Sequence, residues 1–309
     1  MLGPVLLAAA RSDRMRRVVA AAPVTRPVVR RFVAGDALDP ALAAVRTLTA
    51  GGLDVTLDHL GEDVTDRATA HATRDAYLRM LETLRDERLG DRAEVSVKLS
   101  AFGQALPDGG HDIALAGVRR VAELATAVGT TVTLDMEDHT TVDSTLAVLR
   151  ELRREHPGTG AVLQSYLFRT EDDVRALAAE GSRVRLVKGA YREPASVAYQ
   201  DRKEVDKAYV RALRTLFAGD GYPMVGSHDP RMIAIAQELA ARSHRAPGRY
   251  EFQMLYGVRT AEQRRLADAG ERMRIYVPYG ADWYGYFMRR LAERPANLTF
   301  FLRSFAPAR

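Results

Sequence analysis

Short apolar runs rich in β-branched residues recur along the chain every few tens of residues, and polar or turn-forming residues bound each run. Such runs predict buried strands. The eight predicted strands are 53–57, 94–99, 130–135, 161–166, 183–188, 222–226, 250–254 and 274–278. Apolar residues at helical spacing predict helices between them, for example at 114–128, 142–153, 171–179, 199–216 and 230–241.

This alternation predicts an α/β protein, a (β/α)8 barrel of the TIM type in which all strands are parallel. A doubly wound open sheet would alternate in the same way, but it usually carries a glycine-rich turn after an early strand. Here Gly51 and Gly52 precede a strand instead. We expect residues 1–46 to form an N-terminal helical arm, with helices at 5–22 and 26–33. Residues 47–309 should form the barrel catalytic domain.

Composition narrows the class of protein. The 45 basic and 40 acidic residues alternate and aromatic residues are only 7%, so no nucleic-acid surface is indicated. The absence of cysteine excludes a disulfide scaffold and a thiol nucleophile. No apolar stretch is long enough to span a bilayer, and the apolar residues 2–10 precede arginines, unlike a secretory signal. We expect a cytoplasmic protein, with peripheral contact at the inner face of the membrane as a further option.

Barrel enzymes gather their active sites at the carboxyl ends of the strands. Every predicted strand of this chain delivers polar residues to that rim, which is the pattern of a catalytic face. These residues are Asp58, Glu62, Lys98, Asp135, Glu137, Asp138, Gln164, Arg185, Lys188, Ser227, His228, Asp229, Gln253 and Tyr276.

Lys98 ends a strand in which Val95 and Val97 alternate with Ser96 and Lys98. An ammonium group facing the helix layer would be desolvated without a partner, so Lys98 is expected to face the barrel lumen. Asp135 would neutralise Lys98 or an arginine across the barrel mouth. The nearby carboxylates could in principle bind a metal, but the first strand lacks the His-x-His pattern of hydrolytic metal barrels, and we expect none.

Two other segments carry cations. The fifth strand places Arg183 and Arg185 on one face and Lys188 at its end, followed by small residues. Cations beside exposed backbone amides suit a phosphate or an electron-rich ring. The alternative is that Arg185 forms a structural ion pair. In the last helix, Tyr286, Arg289 and Arg290 share one face. Two adjacent arginines fit a carboxylate clamp and equally a solvated basic face, and spacing alone leaves both open.

The predicted strands from the second onward each carry a distinctive string of residues at or near their carboxyl ends. These strings are VKLS (97–100), LDME (134–137), LQSYL (163–167), RLVKGAY (185–191), SHD (227–229), EFQMLYG (251–257), YVP (276–278) and, in the last helix, RRLAER (289–294). Taken together they resemble the proline dehydrogenases. The resemblance runs in order from about residue 57 to the C-terminus. It implies a distorted (β/α)8 barrel that holds FAD, in the monofunctional bacterial form.

The resemblance also implies an activity: oxidation of L-proline to 1-pyrroline-5-carboxylate by hydride transfer to FAD, as the first step of proline degradation to glutamate. It implies catalytic roles for Asp135 and Arg185, and a gate formed by Glu62 and Arg289. The implied substrate-binding residues are Lys98, Tyr276, Tyr286, Arg289 and Arg290. The implied cofactor-binding residues are Met136, Gln164, Arg185, Lys188, Gly189, Ala190, Ser227 and His228.

The family further implies that electrons pass to a quinone and that the product passes to a separate pyrroline-5-carboxylate dehydrogenase. Tyr276 stands where relatives that oxidise hydroxyproline have a smaller residue, which favours proline. The alternative function is a lyase on the same barrel, with Lys98 or Lys188 as the Schiff-base amine.

Overall fold

The computed structural model describes residues 26–293. Its eight strands are β1 (Asp54–His59), β2 (Ala93–Val97), β3 (Val132–Leu134), β4 (Gly160–Gln164), β5 (Arg183–Val187), β6 (Tyr222–Gly226), β7 (Glu251–Leu255) and β8 (Met273–Tyr279). Its α-helices are α1 (Arg26–Arg30), α2 (Leu38–Ala50), α3 (Arg67–Asp86), α4 (Gly110–Val128), α5 (Val142–Arg153), α6 (Thr170–Ala179), α7 (Arg202–Ala218), α8 (Pro230–Arg242), α9 (Thr260–Asp268) and α10 (Trp283–Glu293). None of the helices within residues 26–293 is long and apolar enough to cross a membrane.

The strands form a closed barrel in chain order, and each pair of neighbours is parallel. The predicted (β/α)8 barrel is therefore confirmed. The predicted boundaries of all eight strands hold to within two residues, and β3 ends at Leu134. Asp135 and Glu137 consequently lie in the loop after β3, where they accept hydrogen bonds from different partners.

Aspartate caps fix where several helices begin after the strands. Asp66, Asp201 and Asp229 each accept a hydrogen bond from a backbone N–H in the first turn of α3, α7 and α8. A carboxylate at this position satisfies a backbone donor that has no partner within the helix, and it opposes the positive end of the helix dipole. These three caps therefore fix where the loops after β1, β5 and β6 end, and those loops carry residues of the barrel rim.

The barrel wall separates apolar from polar residues by the alternation of each strand. In β2, Val95 and Val97 are fully buried in the layer of helices, whereas Glu94 and Ser96 face the lumen with hydrogen-bond partners there. The predicted orientation of this strand is confirmed. The lumen is therefore lined by charged and hydroxyl groups instead of the branched apolar side chains that usually fill such barrels.

Glu94 is the centre of an ion cluster in the lumen. Its carboxylate accepts hydrogen bonds from Arg183 Nη2 at 2.7 Å and Thr56 Oγ1 at 2.8 Å, and it lies 3.5 Å from Arg185 Nη2. Burial alone raises the pKa of Glu94, but Arg274, Arg183 and Arg185 outweigh it and lower that pKa to about 2. Glu94 thus stays ionised and holds three guanidinium groups inside the barrel.

The described part of the N-terminal region contains α1 and α2. Val28, Phe32 and Val33, in and just after α1, pack in one cluster with Phe287 and Leu291 of α10. Helix α2 runs across position 46, so the division into an arm (1–46) and a barrel (47–309) stays a prediction. The helix predicted at 5–22 lies outside the described residues.

We expect Glu94→Gln to destabilise the protein by about 3–5 kcal/mol, because an amide removes the counter-charge that three guanidinium groups in the lumen share. Chemical denaturation of the purified protein measures this. Glu238→Gln is the matched control, because Glu238 is 59% exposed in a surface pair with Arg242 and its loss should cost about 0–1 kcal/mol. Equal effects of the two substitutions would contradict the role assigned to the ion cluster.

Candidate active site

A cavity of about 400 Å³ opens at the carboxyl ends of the strands, under the last helix. Its lining is mostly apolar at the wall, with charged groups at particular points. The lining residues are Lys98, Asp135, Met136, Val162, Arg185, Val187, Lys188, Gly189, Ala190, Tyr191, Gly226, Ser227, His228, Asp229, Gln253, Met254, Leu255, Tyr276, Tyr286, Arg289 and Arg290. A cavity of this size and chemistry suits a small organic ligand held by a few polar contacts.

Lys98 lies at the bottom of this cavity as a buried cation. Its Nζ donates to both carboxylate oxygens of Asp58, at 2.8 and 3.0 Å, and lies 3.9 Å from Asp135. Burial alone lowers the pKa of Lys98, but Asp58 and Asp135 raise it above its ordinary value. Lys98 is therefore an ammonium ion. Asp58 rather than Asp135 is its direct partner, although the sequence placed Asp58 on the rim without a role.

Asp135 lies between the barrel lumen and the cavity. It accepts hydrogen bonds from Arg185 Nη1, Ser96 Oγ and Tyr276 Oη, each at 2.7 Å. The Arg185 guanidinium also lies over the Tyr276 ring, 5.4 Å from its centroid. Asp135 thus fixes both an arginine and a tyrosine that line the cavity, which agrees with the sequence-based interpretation that it orients cations.

Glu62 and Arg289 form an ion pair beside the cavity, which Arg289 lines. Arg289 donates through Nη2 to Glu62 Oε1 at 2.5 Å and through Nη1 to Oε2 at 3.2 Å. Burial raises the pKa of Glu62, but Arg289 and Lys98 outweigh it and lower that pKa. The Arg289 guanidinium lies over the ring of Tyr191, at 5.8 Å. This pair joins the loop after β1 to α10.

Helix α10 presents its arginines to the cavity. Phe287, Met288 and Leu291 are buried in the cluster beside α1, whereas Arg289 and Arg290 line the cavity. Packing of the apolar face therefore decides between the two interpretations that the sequence left open: the arginines do not form a solvated basic face. Arg290 stands over the ring of Tyr286, at 5.1 Å.

The other end of the cavity is built by the loops after β5 and β6. Lys188 donates to Asp206 at 2.5 Å and to Asp229 at 3.0 Å. Gly189 has φ +119°, and a Cβ there would lie 2.4 Å from the ring of Tyr166, so only glycine fits. His228 Nε2 accepts a hydrogen bond from the N–H of Leu255 at 2.9 Å, so this nitrogen carries no proton.

Gln164 and Glu137 lie behind the cavity wall. Gln164 Nε2 donates to the carbonyls of Met136 and Glu137, at 3.1 and 3.0 Å, while its buried Oε1 has no hydrogen-bond partner among residues 26–293. Burial raises the pKa of Glu137 to about 7, although Ser100 donates to it through both N–H and O–H. Neither Gln164 nor Glu62 lines the cavity, but Glu62 pairs with Arg289, which does.

All the other residues predicted to bind substrate or cofactor line this one cavity. Sequence reasoning gave no role to Asp58, Tyr191 or Glu94. The alternation that placed Lys98 and Ser96 in the lumen places Glu94 there as well, so that signal was present. No local pattern indicates that Asp58 pairs with Lys98 or that Tyr191 lies beneath Arg289.

Comparison with known proteins identifies the family. The family model described as "Proline dehydrogenase" matches residues 41–303. Proline dehydrogenase 1 of Bacillus subtilis (strain 168) is 38% identical over 279 residues, which cover 90% of this chain and 91% of that protein. Proline dehydrogenase of Deinococcus radiodurans is 40% identical over 277 residues, which cover 88% of each chain.

A solved structure shares the architecture. The crystal structure of proline utilization A from Bdellovibrio bacteriovorus, inactivated by N-propargylglycine, matches with a TM-score of 0.80 and 28% identity. The match covers 91% of this chain and 34% of that longer chain. This chain belongs to the proline dehydrogenase family of oxidoreductases.

Proposed function

We propose that this protein is an FAD-dependent L-proline dehydrogenase that converts L-proline to 1-pyrroline-5-carboxylate, the first step of proline degradation to glutamate. The observation that carries the proposal is the meeting of Lys98, Arg289 and Arg290 in one largely apolar cavity. Three cations there suit a single carboxylate, and the apolar wall suits a hydrocarbon ring. Family membership supports proline as that substrate.

The substrate carboxylate would be held by Lys98 and the two arginines. Lys98 is kept charged by Asp58 and Asp135, so its charge is in place before a ligand arrives. The guanidinium groups offer paired donors that match the two oxygens of a carboxylate. Tyr276 and Tyr286 would bound the proline ring, and Tyr276 is fixed by its hydrogen bond to Asp135.

The residues at the other end fit a planar, phosphate-bearing cofactor. Gly189, Ala190 and Gly226 leave little side chain on the wall, while Arg185 and Lys188 supply positive charge. The buried Oε1 of Gln164 is an unsatisfied acceptor, and a ligand N–H beside it would remove that cost. Met136, Gln164, Arg185, Lys188, Gly189, Ala190, Ser227 and His228 would hold FAD. Bound FAD would supply the two-electron acceptor.

The chain's own residues would position the reaction and keep water away. Asp135 accepts three hydrogen bonds, and two of them hold the side chains of Arg185 and Tyr276 at the cavity wall. The ion pair of Glu62 and Arg289 would close the mouth once proline is bound. Proline must react with its nitrogen deprotonated, and a site rich in cations disfavours the ammonium form of the substrate.

The lyase alternative is weaker on electrostatic grounds. A Schiff base requires a neutral amine. Lys98 is paired with Asp58 and Asp135, and Lys188 is paired with Asp206 and Asp229. The two carboxylates beside Lys98 raise its pKa and so favour its ammonium ion. Covalent trapping with a carbonyl substrate and borohydride would nevertheless detect such chemistry.

The fate of the electrons and of the product is part of the same proposal. Likeness to the family supports a quinone as acceptor, reached by peripheral contact with the membrane. It also supports transfer of the product to a separate pyrroline-5-carboxylate dehydrogenase. Activity with a soluble quinone that exceeds activity with dioxygen would agree with this acceptor, and the reverse order would argue against it.

We expect anaerobic addition of L-proline to bleach the visible flavin band of the purified protein, because electrons reaching the cofactor have no further acceptor. An anaerobic absorbance spectrum before and after addition measures this. D-proline serves as the control for stereochemistry. A yellow protein that L-proline does not bleach would be a flavin carrier, and a colourless protein trapped by borohydride would be the lyase.

Arg290→Ala should raise KM for proline about 30- to 100-fold, because a charge-assisted hydrogen bond to the carboxylate is lost. The flavin content should stay near that of the parent protein. Arg242→Ala, on the exposed surface of α8, is the matched control and should leave KM unchanged. Unchanged affinity in Arg290→Ala would remove Arg290 from the carboxylate clamp.

Asp135→Ala should lower kcat by about 10- to 100-fold, because Arg185 and Tyr276 lose the acceptor that fixes them. Steady-state kinetics on flavin-loaded protein measures the effect. Asp172→Ala is the matched control, since Asp172 is 80% exposed in a surface pair with Arg175. Similar kcat values for the two variants would show that Asp135 does not organise the site.

A further inference from the structure

Glu62 reaches Arg289 from a short loop between β1 and α3 whose backbone is constrained. Gly61 precedes Glu62, and Asp63 follows it with φ +53°, in the left-handed region that non-glycine residues rarely adopt. A conformation of this kind persists where surrounding contacts hold it. The direction in which Glu62 points therefore depends on whatever fixes Asp63.

Ser100 makes two of the contacts that hold this loop. Its Oγ accepts a hydrogen bond from the N–H of Asp63 at 3.2 Å, and its carbonyl accepts one from the N–H of Val64 at 3.3 Å. Ser100 is 5% exposed and lies in the 3₁₀ turn Leu99–Phe102, directly after Lys98. The loop is thus attached to the same turn of chain that carries the lysine at the bottom of the cavity.

Ser100 is held in turn by Glu137, in the loop after β3. Ser100 donates through Oγ to Glu137 Oε1 at 2.6 Å and through N to Oε2 at 3.1 Å. Because the hydroxyl proton of Ser100 points to Glu137, a lone pair of the same oxygen is free to face the N–H of Asp63. Glu137, Ser100 and Asp63 therefore form one directed chain of hydrogen bonds, which ends beside Glu62.

We propose that Ser100, oriented by Glu137, is a positioning residue that sets the loop carrying Glu62, so that Glu62 meets Arg289 over the cavity. Neither Ser100 nor Glu137 lines the cavity, so each would act through Glu62 and not on the substrate. The inference rests on the proposed function where the consequence is measured with proline. The effect of Ser100 on the conformation of the loop can also be measured without substrate.

The charge state of Glu137 should control this chain. Burial raises the pKa of Glu137 to about 7, Lys98 favours its ionised form and Glu62 opposes it. The phenol of Tyr191 also faces Glu137 and is uncharged, because burial raises the pKa of Tyr191 above its ordinary value. An ionised carboxylate accepts both Ser100 donors better than a neutral carboxyl does. Closure by Glu62 should strengthen as pH rises through this range.

The first test compares kcat/KM for L-proline in the flavin-loaded parent, Ser100→Ala and Ser144→Ala from about pH 6 to about pH 8.5. We expect kcat/KM of Ser100→Ala to be about tenfold below that of the parent at about pH 8.5, and about twofold or less below it at about pH 6. Ser144 lies on α5 with hydrogen bonds to Gln104 and His111, and its substitution is the matched control. A Ser100→Ala loss that is the same at every pH would overturn the role of Glu137.

The second test asks whether Ser100 acts through Glu62. In a Glu62→Ala background, Ser100→Ala should cause no further loss, because the residue it positions is already absent. Additive losses would overturn the inference while leaving the proposed function intact. A parent protein with no proline activity would instead overturn the proposed function, and the kinetic part of this inference with it.

Amide hydrogen exchange gives a readout that is independent of turnover. The peptide covering residues 60–66 should exchange at least about fivefold faster in Ser100→Ala than in the parent, because the bond to the Asp63 N–H is lost. Unchanged exchange there would contradict the inference. Should Ser100→Ala fail to fold, Glu137→Gln takes its place, alone and combined with Glu62→Ala. Glu137→Gln should remove the increase in kcat/KM that the ionisation of Glu137 produces as the pH rises, and retention of that increase would overturn the proposal.

Discussion

The structure depends on the pairing of buried charges along the barrel lumen. Glu94 holds Arg183 and Arg185, Arg185 holds Asp135, and Asp135 stands beside Lys98. Each of these groups would be costly to bury alone, so the alternation of sign is what allows them inside. Lys98 and Arg185 are consequently oriented by the fold before any ligand enters the cavity. Such preorganisation is what electrostatic catalysis needs.

The cavity above this network has two ends with different chemistry. Lys98, Arg289 and Arg290 supply a concentration of positive charge at one end, and small residues around Gly189 leave an open wall at the other. The first end is completed by α10, which is held in place because its apolar face packs against α1. Helices α1 and α10, which are distant in sequence, thus build this end of the cavity together.

Hydrogen bonds also connect the loops after β1, β2 and β3 with one another. The hydrogen bonds from Asp63 to Ser100 and from Ser100 to Glu137 join three loops that are distant in sequence. The loop that carries Glu62 is therefore tied to the same turn that positions Lys98.

Much of this fold could be predicted from the sequence, because buried residues recur along the chain with the period of a strand or of a helix. The alternation of strands and helices gave the barrel, the alternation within β2 gave the direction of Lys98, and the ordered strings indicated the family. What the sequence alone could not decide were the partners. Lys98 pairs with Asp58, 40 residues away, and Arg183 with Glu94, 89 residues away. Such pairings depend on where closed strands and packed helices bring side chains within hydrogen-bond distance, and only the tertiary structure sets those distances.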